Sequence, residues 1–469
     1  MQFPKIEFND IQGLLIRSYS FLPEACYVML QFNEQAQIHA FLADILPGIT
    51  SASYKRPDLA FHIAFTNAGI SRLVPQELLI TGFAPEFTEG LNTRTRSRIL
   101  GDFDTNAPEK WYWGGTQNPR VDAVLMIFAK DSAALENKYQ DTAEKLKRYN
   151  ITEVTRLDTR NIGTKEHFGF EDGIMNPLVA GVGGSNAHYT AEEEQNVVMP
   201  GEFILGYPNE YAKFPLSPRV KTGLDDGFDI GRNGSYMVFR QLEQEVKVFW
   251  EFIYGLSEND PHLQGMTPEL IAAKMMGRQL NGEPLAPAAA GNLKNFFFAA
   301  NDKDGFHCPV GAHIRKSNPR DGIDDDPALS VKMVKKHKIL RRGRAFGAPL
   351  SPDFQPATMR ATSNNDKRGL YFICFNAQIN RQFEFIQNAW CNNNKFDGLD
   401  DDIDPIIGFP FREAAFRNSA FTIQGCPVRK KINNIPQFVF VRGGAYFFMP
   451  GMKALKYLAT TPGLWNTVL

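Results

Sequence analysis

Gly369-Leu370-Tyr371-Phe372-Ile373-Cys374-Phe375, followed after a short polar junction by residues 379–390, changes period within about twenty residues. Phe372 and Cys374 alternate with Tyr371 and Ile373, as on the two faces of a strand, and Phe383, Ile386 and Trp390 then recur at helical intervals. The same switch from strand to helix occurs three more times. It takes 26–32 into 35–46, 121–128 into 132–146, and 235–240 into 242–256. In the second of these, Leu135, Tyr139, Ala143 and Leu146 mark the helical stripe. Further strand candidates without helices lie at 61–65, 201–205 and 438–441. Repeated β-α units with added antiparallel strands predict an α+β fold, each sheet carrying helices on one face. Two units precede residue 190 and two follow it. The expectation is therefore two similar domains, 1–190 and 191–469, with the Gly/Asn-rich stretch 181–186 near the join.

Composition narrows the function classes. The 469 residues are 43% hydrophobic and 22% charged, with 38 Phe, an ordinary globular balance with ample aromatic material for a core or an apolar pocket. Lys and Arg (51) offset Asp and Glu (52), so no net field draws the chain to nucleic acid or to an anionic membrane. The five cysteines are scattered and form no Cys-x-x-Cys pair, and Cys374 sits inside an apolar run. Reduced, buried thiols follow, which fits a cytoplasmic protein. No basic-then-apolar leader opens the sequence, and no apolar run reaches the roughly 18 residues that span a bilayer.

Long segments read as neither strand nor helix, notably 85–119 and 282–344, and loops of that length in a compact domain usually carry function. The second contains Cys308-Pro309-Val310-Gly311-Ala312-His313-Ile314-Arg315-Lys316-Ser317-Asn318-Pro319-Arg320. A neutral imidazole is a good ligand for iron, and its small neighbours Gly311 and Ala312 would let a flat ligand approach the backbone. The arginines and lysine that follow suit carboxylates. Equally, His313 is readable as a helix-terminal histidine satisfied by a carbonyl. Gly169-Phe170-Glu171-Asp172-Gly173, running on to Asn176-Pro177, is a turn-rich loop whose Asp172 suits either proton transfer or a bond to its own backbone. The basic run 335–344, including Arg341, Arg342 and Arg344, reads as a solvated face, a nucleic-acid patch or part of a site.

Taken together these segments resemble the signature motifs of the dye-decolourising peroxidase family. The Gly-x-x-Asp-Gly motif matches 169–173, the proximal-histidine segment 308–320, and the distal-arginine segment 339–347. Asp10-Ile11-Gln12-Gly13, the strand and helix from 369, and Asp404-Pro405-Ile406-Ile407-Gly408 add support in the expected order. The resemblance implies two ferredoxin-like domains and one haem b (iron protoporphyrin IX) held between sheet and helices or loops of the second domain. It implies His313 as the iron ligand, oriented by Asp404, with Arg320 and Arg315 pairing with propionates. Asp172 and Arg341 would be the catalytic pair on the opposite face. Leu370 and Phe372, two apart on one strand and so sharing a face, would line a tight pocket there. The partners implied are hydrogen peroxide and an aromatic, dye-type reductant, with no nucleic acid or membrane, in a monomer or homo-oligomer. A pocket that tight would leave large reductants to be oxidised at the surface, with Trp390 and Tyr371 as relays. The alternative is a haem-binding or haem-handling protein with little turnover, which needs only His313 and the propionate partners. Gly343, two residues beyond Arg341, supplies no side chain to the pocket. The acidic stretches 321–327 and 400–402 lack calcium-loop spacing and read as solvated turns.

Overall fold

A computed structural model describes residues 4–184, 187–221, 227–289, 291–409 and 419–460; the apolar terminal stretch 462–469 lies outside the described residues. In the first half, β1 (Glu24–Phe32), α1 (Ile38–Ile45), β2 (Leu59–Phe65), β3 (Ala123–Ala129), α2 (Ser132–Arg148) and β4 (Ile151–Asp158) follow in order. The second half contains β5 (Ser235–Gln244), α3 (Val246–Asn259), α4 (Pro268–Met276), α5 (His313–Ser317) and α6 (Pro327–Lys335). There follow β6 (Leu340–Arg341), β7 (Arg344–Phe346), β8 (Gly369–Asn376), β9 (Val439–Met449) and α7 (Met452–Thr460). All four predicted strand-to-helix switches are present. The last differs in kind, because Ile386–Cys391 winds as a π-helical turn, a local widening often found at functional sites.

The strands run β6-β8-β5-β9-β2-β3-β1-β4, with β7 also on β8, and every pairing among them is antiparallel. Within each half the first strand lies between the third and fourth, and the second strand flanks the third. This is the ferredoxin-like order, used twice. The sequence suggested a sheet in each half, whereas the structure joins the two into one nine-stranded sheet through the Phe448–Phe65 pair of β9 and β2.

Both faces of that sheet are buried. One packs α1, α2 and α7 against residues such as Val28, Ile63, Leu125 and Tyr446. The other is covered by the segments around 6–22 and 198–207, irregular chain with short helical turns, against Tyr27, Met126, Phe239 and Tyr371. Burial on both sides explains why these strands read as nearly continuous apolar runs. It also explains the failed strand expectation at 201–205. Pro200 starts a short 3-10 turn there, and Phe203, Ile204 and Leu205 are apolar because they cover the sheet, not because they belong to it.

The covering segment is tied down by buried polar groups. Gln12 donates from Nε2 to the carbonyls of Ile63 (2.9 Å) and Pro450 (3.0 Å) and accepts the Ile63 N–H at Oε1 (3.0 Å), which staples it across the junction of the halves. Arg342 donates to the carbonyls of Leu14, Leu15 and Ile16, and Arg344 to those of Tyr19, Leu22 and Pro23. Neither arginine belongs to a solvated face or a nucleic-acid patch. Asp326 caps α6, and Asp402 accepts the Thr422 N–H (2.5 Å), so two of the acidic-stretch residues are spent on backbone. Cys26, Cys308, Cys374 and Cys391 are buried thiols and Cys426 an exposed one. Among the described residues, no helix is long and apolar enough to cross a membrane. Replacing Gln12 by Ala strands backbone groups at the junction and is expected to lower the unfolding free energy by about 3 kcal/mol, measured by urea titration.

Candidate active site

A cavity of about 710 Å³ opens between the second-half strands β5, β8 and β9 and the segments carrying α5 and the π-helical turn. It brings together His313, Arg320, Asp172, Arg341, Leu370 and Phe372, which lie as much as 200 residues apart in sequence. The volume falls in the range of small-molecule and cofactor sites.

His313 opens α5, and its ring is fixed from behind. Nδ1 lies 2.8 Å from Asp404 Oδ2, while Asp404 Oδ1 accepts the N–H groups of Ile406 (2.9 Å) and Ile407 (3.0 Å). The bland reading, a histidine satisfied by a carbonyl, is therefore replaced by a carboxylate partner. Burial opposes charge on the imidazole, but the Asp404 carboxylate outweighs it and raises the His313 pKa above its ordinary value. Burial also opposes the Asp404 charge, and the facing imidazole with the two backbone N–H groups holds that carboxyl below its ordinary value. Nε2 has no hydrogen-bond partner among the described residues, and the residue lines the cavity. A carboxylate on the far nitrogen fixes the tautomer and strengthens the near one as a metal ligand.

Across the cavity, Asp172 Oδ1 lies 3.7 Å from Arg341 Nη1, with side chains 44% and 39% exposed. Asp172 also accepts its neighbour Gly173 N–H (2.6 Å), so the turn role and the site role coexist. Arg341 is held by the residues that follow the aspartate motif. Its N–H donates to Asn176 Oδ1 (2.9 Å) and its Nη2 to the Met175 carbonyl (2.8 Å). Gly343 is required by close approach, since a Cβ there would meet the Tyr371 carbonyl at 2.5 Å.

Buried cations line the cavity, among them Arg320, Arg278 and Lys338. Arg320 donates to the carbonyls of Lys294 (3.0 Å) and Phe296 (3.3 Å) and lies 3.8 Å over the Phe296 ring. Arg278 donates to the carbonyls of Gly282 (2.7 Å) and Leu293 (2.8 Å), and Lys338 to Asn318 Oδ1 (2.5 Å). Among the described residues none of these three has a carboxylate within ion-pair reach. Burial, and the nearness of Arg278, depress Arg320 to about 9; burial depresses Arg278 to about 10 and Lys338 well below its ordinary value. Arg278 and Lys338 were not singled out as site residues from sequence. Lys338 sat in the basic run, while Arg278, in Met-Gly-Arg-Gln, carries no motif.

Three expectations are corrected. Arg315 does not reach the cavity; it is 2% exposed and donates to the carbonyls of Asp302, Lys303 and Cys308. Gly311 and Ala312 are buried behind the histidine, outside the cavity lining. Trp390 is 5% exposed, packed against His337 and Phe385, so it is not a surface relay. Tyr371, 4% exposed, packs its ring among Tyr27, Phe239 and Phe346.

The Dyp-type peroxidase C-terminal family model matches residues 309–413, the segment from His313 through Asp404. A multifunctional dye peroxidase of Amycolatopsis sp. is 31% identical over 92% of this chain and 91% of its own length. Peroxidase 2 of Mycetinis scorodonius is 31% identical over 96% of this chain and 87% of its own. This chain belongs to the dye-decolorizing peroxidase family. Its fold matches that of an ancestral D-type dye decolorizing peroxidase, with a TM-score of 0.77 at 24% identity over 97% of this chain and 99% of that one. A fungal DyP-type peroxidase from Auricularia auricula-judae gives 0.75 at 24% identity, over 97% and 100%.

In this peroxidase a further buried acid braces the loop that carries Asp172. Glu166 accepts N–H groups from Phe168 (3.0 Å) and Phe170 (2.9 Å) and the Gln244 amide (2.7 Å). Burial nevertheless pushes its pKa from 4.5 up to about 7. The folded protein then keeps this proton to higher pH than the unfolded chain does. The associated stability is complete below about pH 4.5 and is lost as pH rises through about 7. Between pH 5 and pH 8, wild type is expected to lose on the order of 2 kcal/mol more unfolding free energy than Glu166→Gln. Urea titrations of both proteins at the two pH values check the difference.

Proposed function

We propose that the cavity holds haem b, that His313 ligates its iron through Nε2, and that Asp172 and Arg341 act on hydrogen peroxide from the opposite side. The observation that carries this reading is the pairing of an Asp404-braced imidazole with the buried cations Arg320, Arg278 and Lys338, which among the described residues have no carboxylate within ion-pair reach. A planar dicarboxylate with a metal centre answers both demands, and the apolar wall of Leu370, Phe372, Ile406 and Val441 suits the ring between them. Arg320, Lys338 and Arg278 would hold the propionates.

Haem bound here would supply an iron that accepts peroxide oxygen and stores the two oxidising equivalents released on O–O cleavage. The protein's residues manage the protons. Asp172 takes the proton from the peroxide oxygen nearer the iron and returns it to the oxygen that departs as water. Arg341, held by Asn176 and the Met175 carbonyl, offers N–H groups to the charge that develops on the departing oxygen, without having to reorganise. Asp404 keeps the imidazole in one tautomer throughout. A haem carrier has no use for Asp172 and Arg341, so turnover is the better reading. The donors that fit are bulky aromatic compounds of dye type, as the names of the relatives indicate for those proteins. Buried thiols at four of the five cysteines suit a cytoplasmic setting.

Asp172→Asn and Arg341→Leu, loaded with haem, are expected to keep the porphyrin absorption band and to lose about 10²–10⁴-fold in peroxide consumption. Normal consumption in both variants would refute the distal assignment. Arg320→Ala and Lys338→Met are expected to release haem faster to an apomyoglobin acceptor than wild type does. Unchanged release in both would remove the propionate assignment.

A further inference from the structure

We propose that Lys316 is a positioning residue on the histidine side of the cavity: its buried ammonium braces the chain that carries Asp404 and limits how strongly that carboxylate draws on the His313 proton. The proposal rests on the active-site reading above and concerns a residue that does not itself touch the cavity.

Lys316 lies three residues beyond His313 on α5, a rotation that returns to within about 60° of the histidine. It is 0% exposed and absent from the cavity wall, so it does not meet a carboxylate bound there. The ammonium reaches behind the histidine instead. Nζ donates to the carbonyls of Asn393 (2.8 Å) and Asp402 (2.9 Å) and stands 5.1 Å from the centre of the Phe396 ring. These carbonyls belong to the two stretches of chain that meet at Asp404. The first stretch leaves the π-helical turn, whose last residue, Cys391, accepts the Asp404 N–H at its carbonyl (2.8 Å). The second reaches Asp404 two residues after Asp402. Lys316 and the Asp404 N–H thus make separate ties across one junction.

The junction holds a charge as well as hydrogen bonds. Two carbonyls and a ring face replace water around the ammonium, and among the described residues no carboxylate lies within ion-pair reach of it. Asp402 spends its carboxylate on Thr422, at N (2.5 Å) and Oγ1 (3.1 Å). Asp404 spends its own on His313, Ile406 and Ile407. Burial lowers the Lys316 pKa to about 8, and of the charges opposing that fall Asp404 is the largest. The ammonium therefore persists at neutral pH and acts on Asp404 through a weakly screened interior. Packing alone does not require a buried cation, which is costly to desolvate.

The direction of the effect follows from the hydrogen bond between His313 and Asp404. A carboxylate with no cation behind it is the stronger base, pulls the Nδ1 proton further toward itself and leaves Nε2 more electron-rich. The Lys316 charge works against this. Asp404 stays ionised and fixes the tautomer, but takes less of the shared proton. For an iron bound at Nε2, the weaker donor and the nearby positive charge both favour the reduced form. Asp404 supplies the electron donation and Lys316 sets its ceiling.

The test uses haem-loaded wild type, Lys316→Met and Lys316→Gln at pH 6, with Lys316→Met also made in Asp404→Asn. Two readouts are independent of turnover: the ferric–ferrous reduction potential, and the iron–imidazole stretching band of the ferrous protein by resonance Raman. Both single variants are expected to shift the ferric–ferrous equilibrium about tenfold toward ferric, a fall of about 59 mV, and to move the band to higher frequency. In Asp404→Asn, adding Lys316→Met is expected to leave the band where it was. Glutamine keeps N–H donors for the carbonyls without the charge, so it separates charge from clamping. An unchanged potential and band in Lys316→Gln would overturn the proposal, as would an undiminished band shift in the Asp404→Asn background. Loss of haem from both single variants would also overturn it, because the residue would then be a structural clamp alone. When wild type binds haem through His313, shown by loss of the band in His313→Ala, those results remove this proposal only. If wild type binds no haem, or His313→Ala keeps the band, this proposal and the active-site reading fall together.

Discussion

The cavity wall carries more buried positive charge than negative, and that imbalance constrains the rest of the structure. Removing a cation from water costs several kcal/mol unless an anion or a set of dipoles replaces the solvent. The protein supplies dipoles. Arg320 and Arg278 each take two backbone carbonyls from the 282–296 loop, and Lys338 takes the Asn318 amide oxygen. That solution keeps the groups aimed and leaves their charge uncompensated. A ligand bearing two carboxylates would complete the balance, and its binding would be linked to the stability of the surrounding loops. The segment 282–344, where α5, α6 and β6 are short and irregular chain joins them, is sustained in a compact domain by these contacts.

The sheet provides the rigidity that such a site needs. Because strand side chains alternate, β8 presents Leu370 and Phe372 to the cavity and Tyr371 to the packed aromatic layer behind it. A one-residue slip would exchange these faces, and the continuous pairing of Gly369–Asn376 with β5 forbids it. The same register brings β6 and β7 beside β8, which sets Arg341 on the cavity side and Arg342 toward the N-terminal segment. Arg341 therefore lies beside Asp172 on the cavity wall, and Arg342 ties the first half of the chain to the second.

Much of this was legible in the sequence, for definable reasons. Period changes located all four strand-to-helix units, and motif order located His313, Asp172, Arg341, Arg320 and Asp404. What failed did so where proximity in sequence was taken for proximity in space. Arg315 follows His313 by two residues on a helix, a rotation of about 200°, so it must point away from whatever the histidine faces. Arg320 lies beyond the end of that helix, where the chain turns back toward the cavity. Arg278 comes from a loop after α4, and nothing in its local sequence marks its destination. Trp390 was assigned to the surface by residue type, yet it sits in a π-helical turn that no periodicity reveals and that seats its ring inward.

The two sides of the cavity are built to different standards, and their tasks require it. Asp404 fills its acceptors with one imidazole and two backbone N–H groups, leaving the histidine no freedom to rotate. Asp172 and Arg341 remain part-exposed and touch each other only at 3.7 Å, with each tethered mainly through backbone. A fixed ligand gains nothing from mobility. The proton carrier proposed here gains from it, because in that role Asp172 would have to reach two oxygens of one peroxide in succession while staying within Arg341's field. The 3.7 Å separation leaves Asp172 uncommitted to the arginine, so the carboxylate can turn to the peroxide without first breaking a strong ion pair.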